Sequence, residues 1–289
     1  MPALAPMLTN LATLTSGVEG FFRPNTRAFT SAHTALGSES AAYYSTKPLA
    51  ATLRDLLDEE TLNRGAPRVT VGAANLTTGH MRYFDSRDGR IGVPHILASG
   101  ALPPAFPAVR IDGELYWDGG ILSNTPVEAV FDDNPRRDSL VLSIQLWQPR
   151  GEEPSSISQV ISRQKDVQFA SRTESHIVRQ QQIHRLRHVI TELSSHLPAD
   201  ARESARVKML ASYGCLTRMH VVRLIAPALG GDDHMRDLDF SREGIRRRRA
   251  AGREDTARIL DAKPWRGEFD PVEGFILHEL DRGATAAAR

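Results

Sequence analysis

The stretch Ile111-Asp112-Gly113-Glu114-Leu115-Tyr116-Trp117-Asp118-Gly119-Gly120-Ile121-Leu122-Ser123-Asn124-Thr125-Pro126 decides how this chain is read. Asp112-Gly113 is a two-residue hairpin signal, and beyond it Leu115 and Trp117 alternate with Glu114 and Tyr116, so a second strand ends at Asp118. Gly119 and Gly120 then let the backbone turn with no side chain between Asp118 and an adjacent cleft. From the residue alone, Asp118 is either a turn aspartate capping a helix that starts near Asn124 or an acidic group placed for chemistry.

Upstream, Leu49 to Leu57 carries apolar residues at helical spacing, and Arg68 to Ala74 reads as a buried strand. Met81 to Phe84 pairs with that strand as a hairpin through Thr77-Thr78-Gly79-His80, and Val93 to Gly100 forms a helix that runs into the Leu102-Pro103-Pro104 break. Downstream, Pro126 to Phe131 is a helical turn and Leu140 to Leu146 a buried strand. The residues up to about 50, rich in Ser, Thr, Ala and Pro, read either as loops and short helices covering a site or as a poorly ordered segment.

From Gln148 to Ser156 the composition shifts to Pro, Gly, Glu and Ser, which divides the chain into 1–150 and a mainly helical extension, 151–289. In that extension Ile157, Val160 and Ile161, then Ile183, Leu186, Val189, Ile190, Leu193 and Leu197, define long amphipathic helices. Ala199 to Tyr213 is a further helix, His220 to Ala226 a strand returning to the sheet, and Ser241 caps a basic helix to about Leu260. Strands alternating with helices imply an α/β class with three layers, αβα.

The 289 residues are 40% hydrophobic and 25% charged, ordinary for a folded domain, and 36 basic against 35 acidic residues give no global pull toward nucleic acid or anionic membrane. A single cysteine, Cys215, cannot form an internal disulfide. Met1 to Phe22 lacks the basic start of a signal peptide, and no apolar run approaches the ~20 residues of a membrane span, so a cytoplasmic location of bacterial type is expected, with peripheral membrane contact only if lipid is the substrate.

Together with Ala98-Ser99-Gly100-Ala101-Leu102-Pro103-Pro104-Ala105-Phe106-Pro107, the opening stretch resembles the C-terminal half of the patatin-like phospholipase domain. That family uses a serine in a G-x-S-x-G elbow and an aspartate in a D-G-[GA] motif as a dyad without histidine, with an upstream glycine-rich loop as oxyanion hole. The resemblance makes Asp118 the aspartate, implies lipid acyl esters as substrates and requires no metal or other cofactor. Val69 to Asn75, Ile91 to Ser99, and Asn124 with Pro126 also look like family positions that follow the nucleophile.

The departure is equally specific, since the sequence contains no G-x-S-x-G. Thr15-Ser16-Gly17 lacks the leading glycine, and Gly37-Ser38-Glu39-Ser40-Ala41 puts glutamate in the serine's place. The adjacent glycine pairs are Gly119-Gly120, in the aspartate motif, and Gly230-Gly231, far downstream. The expectation is therefore an N-terminally incomplete patatin-like core. Acyl transfer needs a nucleophile, a base and oxyanion donors, and Asp118 supplies only the base, so this chain alone is expected to be inactive.

Other residues carry weaker readings. Ser99, before Gly100, reads as a helix-end hydroxyl rather than a substitute nucleophile, and Asn124 either positions the Asp118 turn or caps a helix, with capping favoured. His184, His188 and Glu192 share one helix face, read as a surface stripe in preference to a metal site. Arg246 to Arg249 reads as a solvated helix face, with nucleic-acid binding as the minor alternative. Phe21, Phe22, Leu102 and Phe106 are candidates for lining an acyl cleft. The alternative to an acyl hydrolase is a non-catalytic product or lipid- or partner-binding remnant, in which another chain completes an exposed sheet edge.

Overall fold

The structure, a computed structural model, describes residues 4–229 and 235–279. In chain order its elements are α1 (Leu4–Ser16), β1 (Arg23–Pro24), β2 (Tyr44–Ser45), α2 (Lys47–Leu56), α3 (Glu59–Leu62), β3 (Thr70–Asn75), β4 (Met81–Asp85), α4 (Val93–Ser99), β5 (Val109–Ile111) and β6 (Glu114–Asp118). There follow α5 (Glu128–Phe131), β7 (Ser139–Gln145), α6 (Ile157–Ser195), α7 (Ala199–Glu203), α8 (Ala205–Ala211), β8 (Met219–Ile225), α9 (Arg242–Ala262) and β9 (Phe275–Glu279). The chain divides into two compact units, the first drawn from Met1–Asn124, Ser155–Ser162 and Gly231–Arg247, the second from Thr125–Pro154, Arg163–Gly230 and Arg248–Arg289.

The first unit is organised by an antiparallel sheet of order β4-β3-β6-β5. Its β5–β6 turn has Asp112 at φ 50° and Gly113 at φ 86°, the paired left-handed residues of a type I′ hairpin. Ala73, Phe84, Ile91, Ala98, Ile111 and Tyr116 form the core, which ties α4 to the sheet through Ala98. Asp85, at the end of β4, is buried and accepts hydrogen bonds from Arg68 Nε at 2.6 Å, Thr70 Oγ1 at 2.7 Å and the Arg87 amide at 2.8 Å. These bonds, Arg68 foremost, hold its carboxyl well below the usual carboxylate range. The first 50 residues contribute more than loops: α1 spans 13 residues, and β1 and β2 pair as a two-stranded ribbon.

The second unit is built on a parallel sheet of order β7-β8-β9. Met219 and Val221 of β8 pack with Phe275 of β9, Phe131 of α5 and Ile177 of α6, while Val222 and Leu224, on the opposite face, pack with Ile259 of α9 and Trp265. Period-2 alternation along β8 thus serves helices on both faces, so the three-layer arrangement lies in this unit. On the α6 side, buried Arg223 is ion-paired with Glu174 of α6 and Glu279 of β9.

Four sequence expectations change in detail. The strand over 140–146 is apolar but not buried on both faces: Leu140, Leu142 and Ile144 of β7 are exposed, because β7 is an edge strand whose outer face carries no helix among the described residues. The helices expected from Ile157 to Leu197 are one helix of 39 residues, α6. The single helix over 199–213 breaks at Ser204, which takes an extended conformation and caps α8 by accepting the Val207 amide at 3.3 Å. The stretch after residue 151 also supplies β9, an apolar run too short to show alternation, which follows the Asp270-Pro271 turn and Gly274.

Candidate functional site

Asp118 lies at the end of β6, where Ala73 of β3 is its cross-strand partner. Its backbone N–H donates to Ala101 O at 3.0 Å, which joins the strand end to the segment leaving α4. The chain then turns through a 3-10 helix over Gly119–Ile121, and Asp118 Oδ1 accepts the Gly120 N–H at 2.7 Å. No hydrogen bond among the described residues reaches Oδ2. Burial raises the Asp118 pKa, and the Gly120 amide opposes that rise by favouring the ionised form.

Space requires the glycine at 119 and leaves little room for a side chain at 120. A Cβ on Gly119 would lie 2.6 Å from Gly72 O of β3 and 3.1 Å from Met81 Sδ, and one on Gly120 would lie 3.0 Å from Asn124 Oδ1 and 3.1 Å from Asp118 Oδ1. Gly72 is the partner that reading the 111–126 stretch alone missed. An isolated glycine inside a strand, as in Val71-Gly72-Ala73, is the signal that another backbone approaches closely. The Asn124 side chain therefore sits against the Asp118 turn, and α5 begins later, after Val127, without a side-chain cap. This corrects the preference for Asn124 as a helix cap. The Ser99 hydroxyl donates to Ile96 O at 2.9 Å, the helix-end role expected of it.

Of the residues proposed to line an acyl cleft, Phe21, Phe22 and Phe106 are brought together, with ring centroids 5.2–5.6 Å apart. Tyr44 and Phe240 join them at 5.0 Å and 6.3 Å from Phe22. Leu102 contributes its carbonyl oxygen, which accepts the Phe106 amide at 2.9 Å. Phe240 was not legible, since more than a hundred positions separate it from the other aromatics and no local pattern links them.

The histidines of α6 do not form a surface stripe. His184 and His188 are both buried, the former with neither ring nitrogen hydrogen-bonded and the latter with Nδ1 3.1 Å from Pro271 O and Nε2 2.9 Å from Thr217 O. Glu192 instead faces out and pairs with His196 at 3.1 Å. Burial, then the charges of Arg187, Arg136 and His188, push the His184 pKa down to about 4. No group of three or more potential metal ligands occurs among the described residues. In the basic run of α9, Arg246 pairs with Glu243 at 2.9 Å and Arg246, Arg247 and Arg249 are exposed, as a solvated face requires.

No helix among the described residues is long and apolar enough to cross a membrane. No curated protein matches the chain significantly. Two family models do match: residues 14–131 fit the one described as patatin-like phospholipase, and residues 167–272 fit one described as patatin phospholipase. The first match contains Asp118 and its glycine turn, and the second takes in most of α6 together with β8 and α9. With both parts of the chain matched in this way, the protein belongs to the patatin-like phospholipase family.

Proposed function

We propose that this chain carries the aspartate half of a Ser–Asp acyl-hydrolase dyad, that its substrate class is the lipid acyl ester, and that it is inactive by itself. The observation that carries the reading is the Asp118 turn: a half-buried carboxylate with raised pKa, one oxygen fixed by the Gly120 amide and the other unengaged by the described residues. A carboxylate so held is oriented to accept a proton, and its raised pKa makes it a better base once ionised. The absence of G-x-S-x-G from the sequence leaves that base without its nucleophile. In this reading 1–150 is the partial acyl-hydrolase portion and 151–289 its extension, and the protein works in the cytoplasm at the surface of its lipid, with no metal cofactor.

Fluorophosphonate labelling of the purified full chain, read by intact mass and peptide mapping beside Asp118→Ala, tests this directly. The expected result is a folded chain that is no more labelled than the variant. Stoichiometric labelling of one serine that depends on Asp118 would show a replacement nucleophile and overturn the orphaned-base reading.

A second reading is favoured by β7, which among the described residues pairs with β8 alone and exposes Leu140, Leu142 and Ile144. An apolar strand with an open edge is a template for another strand, so a partner chain that completes this sheet would make the protein a binding subunit. Light scattering across a concentration series, with Leu142→Lys and Ile144→Lys as breakers, separates the two: self-association or pull-down abolished by these changes supports the subunit reading, and a monomer at all concentrations argues against self-completion.

A further inference from the structure

The first unit contains a concavity of about 980 Å³ between β1, α2, α4 and β5, and no residue of the Asp118 turn lines it. We infer that this cavity is a binding site for a phosphate-bearing ligand. Its volume falls within the range of ligand pockets, roughly 300–1,000 Å³.

Charge identifies the chemistry. Five cations line the cavity, Arg23, Arg27, Lys47, Arg54 and Arg110, against two carboxylates, Glu39 and Glu59. Both carboxylates are already engaged: Glu39 accepts from Arg110 Nε at 2.6 Å, and Glu59 accepts from the Val93 amide at 3.3 Å and from Arg90 at 3.5 Å. The side chains of Arg23, Arg27, Lys47 and Arg54 make no hydrogen bond or ion pair with any described residue. These cations come from three separate places, β1, the 3-10 turn over Thr26–Phe29, and one face of α2, where Lys47 and Arg54 stand two turns apart.

The chain as a whole carries a net charge of only +1, so the convergence is local. Unpaired like charges gathered around one cavity repel one another, and an anion with several acceptor oxygens relieves that cost. Arginine forks match phosphate geometry bidentately, and lysine adds a point charge. The cavity is not polar throughout: Leu36, Ala50, Leu97, Val109 and the buried Val93 line it as well. The same site can therefore hold the phosphate of a lipid headgroup, with the apolar wall against the start of an acyl chain, or a small free phosphate ester.

Titration calorimetry on the full chain at low salt decides the matter, with dioctanoyl phosphatidic acid, dioctanoylglycerol, glycerol 3-phosphate and inorganic phosphate as probes. The variant is Lys47→Gln/Arg54→Gln, two exposed positions on α2, with its melting temperature compared with wild type. At least one phosphate probe is expected to bind, and the folded double variant to bind it about tenfold more weakly or worse, as the loss of two charge-assisted contacts requires. Tighter binding of phosphatidic acid than of glycerol 3-phosphate identifies a lipid headgroup, and equal binding identifies a free phosphate ester. The inference fails if dioctanoylglycerol binds as tightly as phosphatidic acid, if no phosphate probe binds, or if the folded double variant binds them as wild type does. If the double variant does not fold, Arg27→Gln, on the separate 3-10 turn, is held to the same criteria. Because the readout is binding and the cavity excludes Asp118, this outcome is separable from the outcome of serine labelling.

Discussion

His184 and His188 stand one helical turn apart on α6, equally hidden from solvent, yet only His188 has carbonyl oxygens opposite its two ring nitrogens. His184 packs instead beside the paired rings of Phe131 and Phe275, 6.2 Å from each, the two rings themselves being 5.0 Å apart. Spacing along a helix therefore assigned both residues to one face, and the partners supplied by β9's approach and by the segment before β8 divided their roles.

Replacing His184 with leucine is expected to stabilise the protein. The change removes two buried unpartnered nitrogens at similar volume, worth about 1 kcal/mol or more at neutral pH. The pH dependence has a definite sign. With a folded pKa of about 4 against an ordinary 6.5, the unfolded chain binds the proton first, so wild type loses stability as pH falls from about 6.5 to about 4. His184→Leu flattens that decline, and urea melts at pH 7, 5.5 and 4.5 measure it. His188→Leu is expected to go the other way, since a carbonyl oxygen, Thr217 O or Pro271 O according to the tautomer, loses the ring N–H it accepts.

Asp118→Asn is expected to raise the melting temperature at neutral pH, because it keeps an acceptor for the Gly120 amide and removes a carboxylate whose ionised form burial disfavours. A raised folded pKa means the folded state holds its proton longer than the unfolded state. The wild-type penalty is therefore absent below the ordinary carboxylate pKa and grows as pH rises through the folded value. Melting curves of both proteins across pH 3 to 8 should converge at the acid end. The opposite trend would mean that Asp118 is stabilised as an anion, which is inconsistent with its burial.

Gly119→Ala is expected to cost about 1–3 kcal/mol, the usual price of overpacking, since the new Cβ would lie 2.6 Å from Gly72 O and backbone atoms do not yield as a flexible side chain does. Denaturant unfolding measures it. Alanine at Gly113 should also be unfavourable, but through its φ of 86° and not through contact, because open space surrounds that position.

Asp85→Asn is expected to destabilise by about 2 kcal/mol at pH 7, as a charge-assisted set with Arg68, Thr70 and the Arg87 amide is weakened. Its depressed folded pKa places the wild-type advantage above the ordinary carboxylate pKa of about 3.9 and removes it as pH falls through the folded value. Stability curves of the two proteins should therefore approach one another below about pH 4.

Much of the fold is legible wherever the determinant is local. The Asp112-Gly113 turn, the β3–β4 hairpin, α4 and the Ser241 cap of α9 all follow from residues within a few positions of one another, and Ser241 Oγ does accept the Gly244 amide at 3.0 Å. What was hidden depends on distant partners. The β7 sequence Leu-Val-Leu-Ser-Ile reads as buried on composition, and its exposure follows from its place at a sheet edge. In the site, the Asp118 turn was visible in its own residues, whereas Gly72 and Asn124 acquire their roles only when β3 and the loop after the 3-10 helix close on it.

The order of strands in the second unit also governs how this protein can be made. The antiparallel sheet of the first unit needs only the chain as far as Asp118, so it can form while synthesis continues. The parallel sheet must bring β7 and β8 together across the whole of α6 and cannot acquire its third strand until Phe275–Glu279 has emerged. Such long-range pairing is slow because loop closure precedes any reward. During that interval β8 has one unsatisfied edge and the apolar face of β7 is already exposed, so slowing translation before residue 275 should favour aggregation over folding in this half of the molecule alone.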